Sequence, residues 1–209
     1  MNQLARNAGG EQGQYMSSTR VLVIIGSVRP GRVGLPIAEW VASELAAVDG
    51  IEVDVADLAE LKLPLMDEPN HPMQRRYTQP HTIAWSERVD AADAVVLVTP
   101  EYNHSFSPAL KNALDYLNHE WRHKPVTFVS YGGVSAGTRG VEGLKAVTSG
   151  LGLYTTGANV EINFPTNLIG DDGVFEPSET HRARLVAAAG ELISLAAAFK
   201  PLREAAAAR

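Results

Sequence analysis

The chain has 209 residues, 45% hydrophobic and 20% charged, the balance of one soluble domain. A chain of that length buries roughly 70% of the surface it exposes when unfolded and needs no crosslink. It has no cysteine, which excludes disulfides, thiolate nucleophiles, thiolate zinc sites and iron–sulfur clusters and suits a reducing cytoplasm; its net charge of −6 excludes a broad basic surface for nucleic acid or anionic lipid.

Residues 1–18 carry Asn, Gln, Gly and Ser without an apolar core, so they do not read as a signal peptide. They are expected to form a mobile arm or an arm packed on a partner subunit, ahead of a single domain over 19–200 and a tail over 201–209. From Arg20 onward short apolar runs alternate with longer amphipathic ones, the rhythm of βαβ units on a parallel sheet. The run 21–25 predicts a buried central strand, and Ile37, Trp40, Val41, Leu45 and Val48 recur at helical spacing over 36–48. A second strand is expected over 51–55, then a Pro-rich crossover to Tyr77 and a short helix over 83–92. The runs 94–99 and 126–131 predict two more buried strands, each followed by a polar loop and a helix, over 109–118 and 141–149. A fifth strand is expected over 159–162 and a long final helix over 178–198. The apolar stretch within that helix is interrupted by Gly190 and Glu191, short of the roughly 20 residues that span a bilayer.

Five strands with helical crossovers predict an α/β, flavodoxin-like doubly wound sheet of order 2-1-3-4-5 with helices on both faces. That order brings the loops after strands 1, 3 and 4 to one edge, where such sheets bind ligands. The first loop, Gly26-Ser27-Val28-Arg29-Pro30-Gly31-Arg32, links a strand to a helix and offers backbone N–H groups, a hydroxyl and two guanidinium forks to a phosphate. It lacks both Gly-Lys-Ser/Thr and Gly-x-Gly-x-x-Gly, so nucleotide hydrolysis and a plain dinucleotide fold lose support. The second, Pro100-Glu101-Tyr102-Asn103-His104-Ser105, offers N–H groups and a ring to a flat heterocycle, with Ser107 as expected N-cap and Pro108 in the first helical turn.

These two loops, together with Pro108-Ala-Leu-Lys-Asn-Ala-Leu-Asp115-Tyr, Lys124-Pro-Val and Tyr131-Gly-Gly133, closely resemble the NADPH-dependent FMN reductase family, which includes chromate, quinone and azo-dye reductases. The resemblance spans roughly 20–163 in the same order and spacing. It implies that Ser27, Arg29 and Arg32, with backbone of Val33 and Gly34, hold an FMN phosphate. It implies that Pro100, Glu101, Tyr102 and Asn103 hold the ring and ribityl chain, mainly through backbone, and that Gly132, Gly133 and Ser135 to Gly137 close over the ring. Many relatives carry a Ser or Thr where this chain has Val33 or Gly34. The resemblance further implies NADPH or NADH as donor, a small-molecule acceptor such as a quinone, azo dye, metal oxyanion or free flavin, and a homodimer or homotetramer. Hydride transfer by the flavin needs no catalytic side chain, and none is named. His104 is expected either to touch substrate or nicotinamide or to be a surface loop residue.

His119-Glu120-Trp121-Arg122-His123 matches the His-Glu-x-x-His pattern that places two imidazoles around zinc on a helix. It falls where a helix frays before Lys124-Pro125, and no third ligand is evident, so no metal is expected.

Overall fold

The computed structural model describes residues 18–207; all but the last residue of the expected N-terminal arm, and the last two of the expected tail, lie outside them. The element bounds follow the apolar runs closely. β1 (Thr19–Ile25) is flanked in parallel by β2 (Ile51–Asp57) and β3 (Ala94–Pro100), and β4 (Pro125–Gly132) lies beyond β3. The order β2-β1-β3-β4 continues to a fifth position, as the sequence predicts.

That fifth position is divided between two pieces. β5 (Tyr154–Thr155) pairs with the start of β4 and β6 (Val160–Asn163) with its end, both in parallel. The gap is filled by other donors and acceptors: Thr127 Oγ1 donates to the Ala158 carbonyl at 2.7 Å, and Asn159 Oδ1 accepts from the Phe128 N–H at 3.2 Å. The expected strand corresponds to β6; β5 is too short to leave a pattern in the sequence.

Alternation along the strands divides the core. Val21, Val23 and Ile25 of β1 face α1 (Gly34–Ala46) and α6 (Glu179–Ala207), with Ile37, Val41, Leu185 and Leu192. Leu22 and Ile24 face the other way, toward α3 (Pro80–Asp90), α4 (Pro108–Asp115) and α5 (Thr138–Gly150), with Trp85, Leu110, Trp121 and Leu144. The crossover after β2 holds one further turn, α2 (Leu58–Leu61).

α6 runs to Ala207, past Pro201 and beyond the end expected at residue 198. Pro201 removes the N–H that would bond the Ala197 carbonyl, yet the last turns are held in place by Arg203, whose guanidinium donates to the Ala196 carbonyl at 3.0 Å and to Asp93, just before β3, at 2.7 Å. By length and composition the most apolar 18-residue stretch of α6, with a mean hydropathy of 1.5, could cross a membrane. Its apolar face is already used: Leu185, Ala188, Ala189, Leu192 and Ala196 are buried on the sheet, and Glu191 accepts from the Gly157 and Ala158 N–H groups.

Candidate functional site

The carboxyl ends of β1, β3 and β4 bring the predicted residues of the three loops to one edge, where the loops are fastened to one another. Gly26 N–H donates to the Val98 carbonyl at 2.8 Å, and Ser107, the N-cap of α4, donates to the Gly26 carbonyl. Ser27 is buried, and its hydroxyl lies 2.8 Å from that of Tyr102. Glu101 N–H donates to the Tyr131 carbonyl at 3.0 Å. Each bond ties one loop to a neighbouring loop or strand end.

In the first loop Gly31 takes φ +67°, which a residue with a Cβ rarely adopts, and the chain enters α1 at Val33 and Gly34. No side chain caps α1, and its first turn holds no acid. Its leading N–H groups are therefore free to bind an anion, with the helix dipole in support. The two arginines differ. Arg32 is largely buried, donates to the Ser27 carbonyl at 2.9 Å and pairs with Asp57. Arg29 is exposed and has no protein partner among the described residues.

After β3, Tyr102 and Ser105 exchange backbone hydrogen bonds of 2.8 and 3.0 Å across Asn103 and His104, both at positive φ. This is the backbone of a two-residue hairpin, and it holds both side chains out at an exposed tip. The Glu101 side chain points away from that tip: its carboxylate accepts from Ser135 Oγ at 2.8 Å and from the Arg139 N–H at 3.1 Å and guanidinium at 3.3 Å. Burial opposes charge on Glu101, but these donors outweigh it and hold the carboxyl below the usual glutamate range.

The third loop bends at Ala136 (φ +50°) and Gly137 (φ +86°). A Cβ on Gly137 would stand 2.7 Å from the Tyr131 N and 3.0 Å from its carbonyl, so only glycine lets the turn close. Gly133 and Val134 are left exposed on its rim, and beside them Phe164, at φ +46° and half exposed, stands over Gly133. A bulky side chain in that conformation is strained, a cost of about 1–3 kcal/mol that tends to gather at functional sites.

Tyr131 itself is unexpected. Its side chain passes beneath α1, 5% exposed, and its hydroxyl has no hydrogen-bond partner among the described residues. A Cβ on Gly34 would collide with that hydroxyl. Burial pushes the phenol well above its usual range, so it stays protonated. An unpaired buried hydroxyl costs about 1–3 kcal/mol and calls for a reason.

The His-Glu-x-x-His segment is a 3₁₀ turn (His119–Trp121), and His123 lies beyond it at positive φ. Glu120 is buried and accepts from Tyr77 and Ser86, while His119 Nε2 is bonded to the Met73 carbonyl. Among the described residues no cluster of three metal-ligating side chains exists.

The family model for NADPH-dependent FMN reductases matches residues 19–165. The chain belongs to this family. A reductase of Schizosaccharomyces pombe named as an NAD(P)H-dependent FMN reductase is 37% identical over 181 residues, covering 84% of this chain and 90% of its own. One from Saccharomyces cerevisiae with the same description is 37% identical over 161 residues, 72% of this chain and 83% of its own. An FMN-dependent NADPH-azoreductase of Staphylococcus aureus is 29% identical over 171 residues, 78% and 89%. The fold matches the flavoenzyme NAD(P)H:(acceptor) oxidoreductase of Paracoccus denitrificans, with a TM-score of 0.67 at 22% identity over 84% of this chain and 97% of that one. The protein is an NAD(P)H-dependent oxidoreductase with FMN as its cofactor.

The edge residues fit that cofactor. The reductase presents an uncapped helix start, an unpaired arginine and a spare hydroxyl where a phosphate would be held, and glycine backbone where a flat ring needs close approach. Sequence reasoning missed Asp57, Arg139 and Tyr131. The signal for the first two was absent, because ion partners 25 and 38 residues away leave no spacing. Tyr131 carried one: a polar tip ending an otherwise buried strand.

Proposed function

We propose that the chain holds FMN across these three loops and uses it to pass reducing equivalents from NADPH or NADH to a small-molecule acceptor, a quinone, azo dye, metal oxyanion or free flavin. The observation that carries the reading is the uncapped, acid-free start of α1 beside the unpaired Arg29. When bound, the flavin supplies the redox chemistry, taking hydride from the nicotinamide and releasing electrons to the acceptor in a second half-reaction.

The protein supplies place and field. Arg29, the Ser27 hydroxyl and the N–H groups of Val33 and Gly34 take the phosphate, while Arg32, kept on Asp57 and the Ser27 carbonyl, braces the loop. Pro100, Glu101, Tyr102 and Asn103 line one side of the ring and ribityl chain with backbone; Gly132, Gly133, Ser135 and Gly137 line the other. Pro100 has no N–H, and those of Glu101 and Tyr102 are taken by the Tyr131 and Ser105 carbonyls, so the donors that would face the reduced pyrimidine edge are N–H groups such as those of Asn103, Gly133 and Ser135. His104, at the hairpin tip, meets the nicotinamide or acceptor. The azoreductase relative supports azo compounds among the acceptors. Assembly into a homodimer or homotetramer, which the family resemblance implies, is part of this reading.

The purified protein is expected to be yellow, to oxidise NADPH or NADH, and to give parallel double-reciprocal plots against quinone or azo dye. A colourless protein that gains no flavin absorbance on adding FMN, or acceptor rates no higher than the oxygen background, would refute the reading. Light scattering tests the assembly, and a mass near 22.4 kDa would overturn that part.

A further inference from the structure

The Tyr131 hydroxyl is the one feature of the edge that loop chemistry leaves unexplained. A phenylalanine would fill the same volume without burying a hydroxyl. The Ser27 hydroxyl is near enough to favour the ionised phenol slightly, but the pair lacks hydrogen-bond geometry, and Ser27 is bonded to Tyr102 at 2.8 Å; the Arg32 guanidinium is taken by Asp57 and the Ser27 carbonyl. The phenol also dictates its neighbour: residue 34 must be glycine, since a Cβ would strike the hydroxyl and stand 3.0 Å from Cζ. A donor has been brought through the core to the first residue of a helix that no side chain caps and no acid approaches.

We propose that Tyr131 is a phosphate-selecting residue: its hydroxyl donates to a phosphate oxygen of FMN from beneath the start of α1, and so distinguishes FMN from riboflavin. The inference rests on FMN as the resident cofactor. Because the phenol is protonated, it is a donor at any working pH. It adds a neutral contact from the sheet side to the charged one that Arg29 offers from the solvent side, and an oxyanion accepts both. The unpaired hydroxyl is then a cost borne by the apoprotein and relieved on binding.

The test strips the flavin and titrates the apoprotein with FMN and with riboflavin, following flavin fluorescence. Wild type is expected to prefer FMN. Tyr131→Phe should weaken FMN by about tenfold and riboflavin by less than about twofold, and its apoprotein should melt no lower than wild type. Gly34→Ala, which displaces the phenol without removing it, should also lose more FMN than riboflavin affinity. Equal losses for the two flavins, or a less stable Tyr131→Phe apoprotein, would assign the hydroxyl a structural bond and overturn the proposal. Unchanged FMN affinity would overturn it as well. Wild-type apoprotein that binds neither flavin would overturn the cofactor assignment, and this inference with it.

Discussion

The two ends of the sheet are both rich in polar groups, and they differ in what is left over. At the amino end a cavity of about 710 Å³ is lined by Arg75, Arg122, Lys124, Arg203, Asp90, Asp93, Glu120 and Glu204. Nearly all its charge is spent: Arg75 pairs with Asp90 and Glu120, Arg203 pairs with Asp93, and Lys124 donates to the Val89 and Asp90 carbonyls. At the carboxyl end the groups are fewer, yet an arginine, a helix start and a buried hydroxyl are unmatched. The amino end also leaves buried Arg20 Nε and His123 Nδ1 unpaired; what sets the carboxyl edge apart is that its unmatched groups are donors gathered at one helix start, which cavity size and charge density alone would not have shown.

The sharpest way to break this contrast is to spoil the carboxyl end by volume. Gly137→Val would force a Cβ against the Tyr131 backbone at φ +86°, and is expected to cost about 3–5 kcal/mol in chemical denaturation together with the flavin. A variant that stays yellow and stable would show that the turn has other ways to close.

The amino end should answer to pH and be indifferent to flavin. Burial pushes Lys124 from an ordinary 10.5 down to about 8. Above about 10.5 it is neutral folded or unfolded and carries no penalty; below about 8 it is charged in both states and the penalty is complete. Its contribution to stability therefore rises as pH climbs from 8 to 10.5, by about 3 kcal/mol. Comparing denaturation of wild type and Lys124→Met across that window should show the slope vanish in the variant; parallel curves would mean the ammonium is better solvated than its burial suggests.

Smaller effects divide the arginines from the histidines. Arg29→Ala should weaken FMN by about 10- to 30-fold, about 1.5–2 kcal/mol, as expected for a charged contact to phosphate. His123→Ala, at the other end, should change it by less than about twofold. Similar affinities for the two variants would place the phosphate elsewhere.

Much of this architecture was legible. The buried runs at 21–25 and 94–99 needed both faces covered, which fixed the parallel sheet and with it the meeting of three loops. Arg29 and Arg32 looked equivalent in sequence; only Asp57, at the far end of β2, separates a brace from a free cation. The end of α6 was misread because Pro201 is a fair stop signal, and the rescue by Arg203 depends on tertiary contacts to Asp93 and the His123 carbonyl. Glu101 belonged to the correct loop, but the destination of its side chain depended on the turn at Ala136 and Gly137.

The divided fifth strand bears on how the molecule tolerates crowding. A long, flat, apolar edge invites other chains to add strands to it. Here that border consists of two and four residues separated by a break, while the opposite border, β2, carries Glu52 and Asp54 locked to Arg20 and Arg88. The broken border offers no uninterrupted row of open N–H and carbonyl groups, and on β2 Arg88 takes the Val55 carbonyl while charges flank the strand, so both sides are guarded against sheet-to-sheet growth.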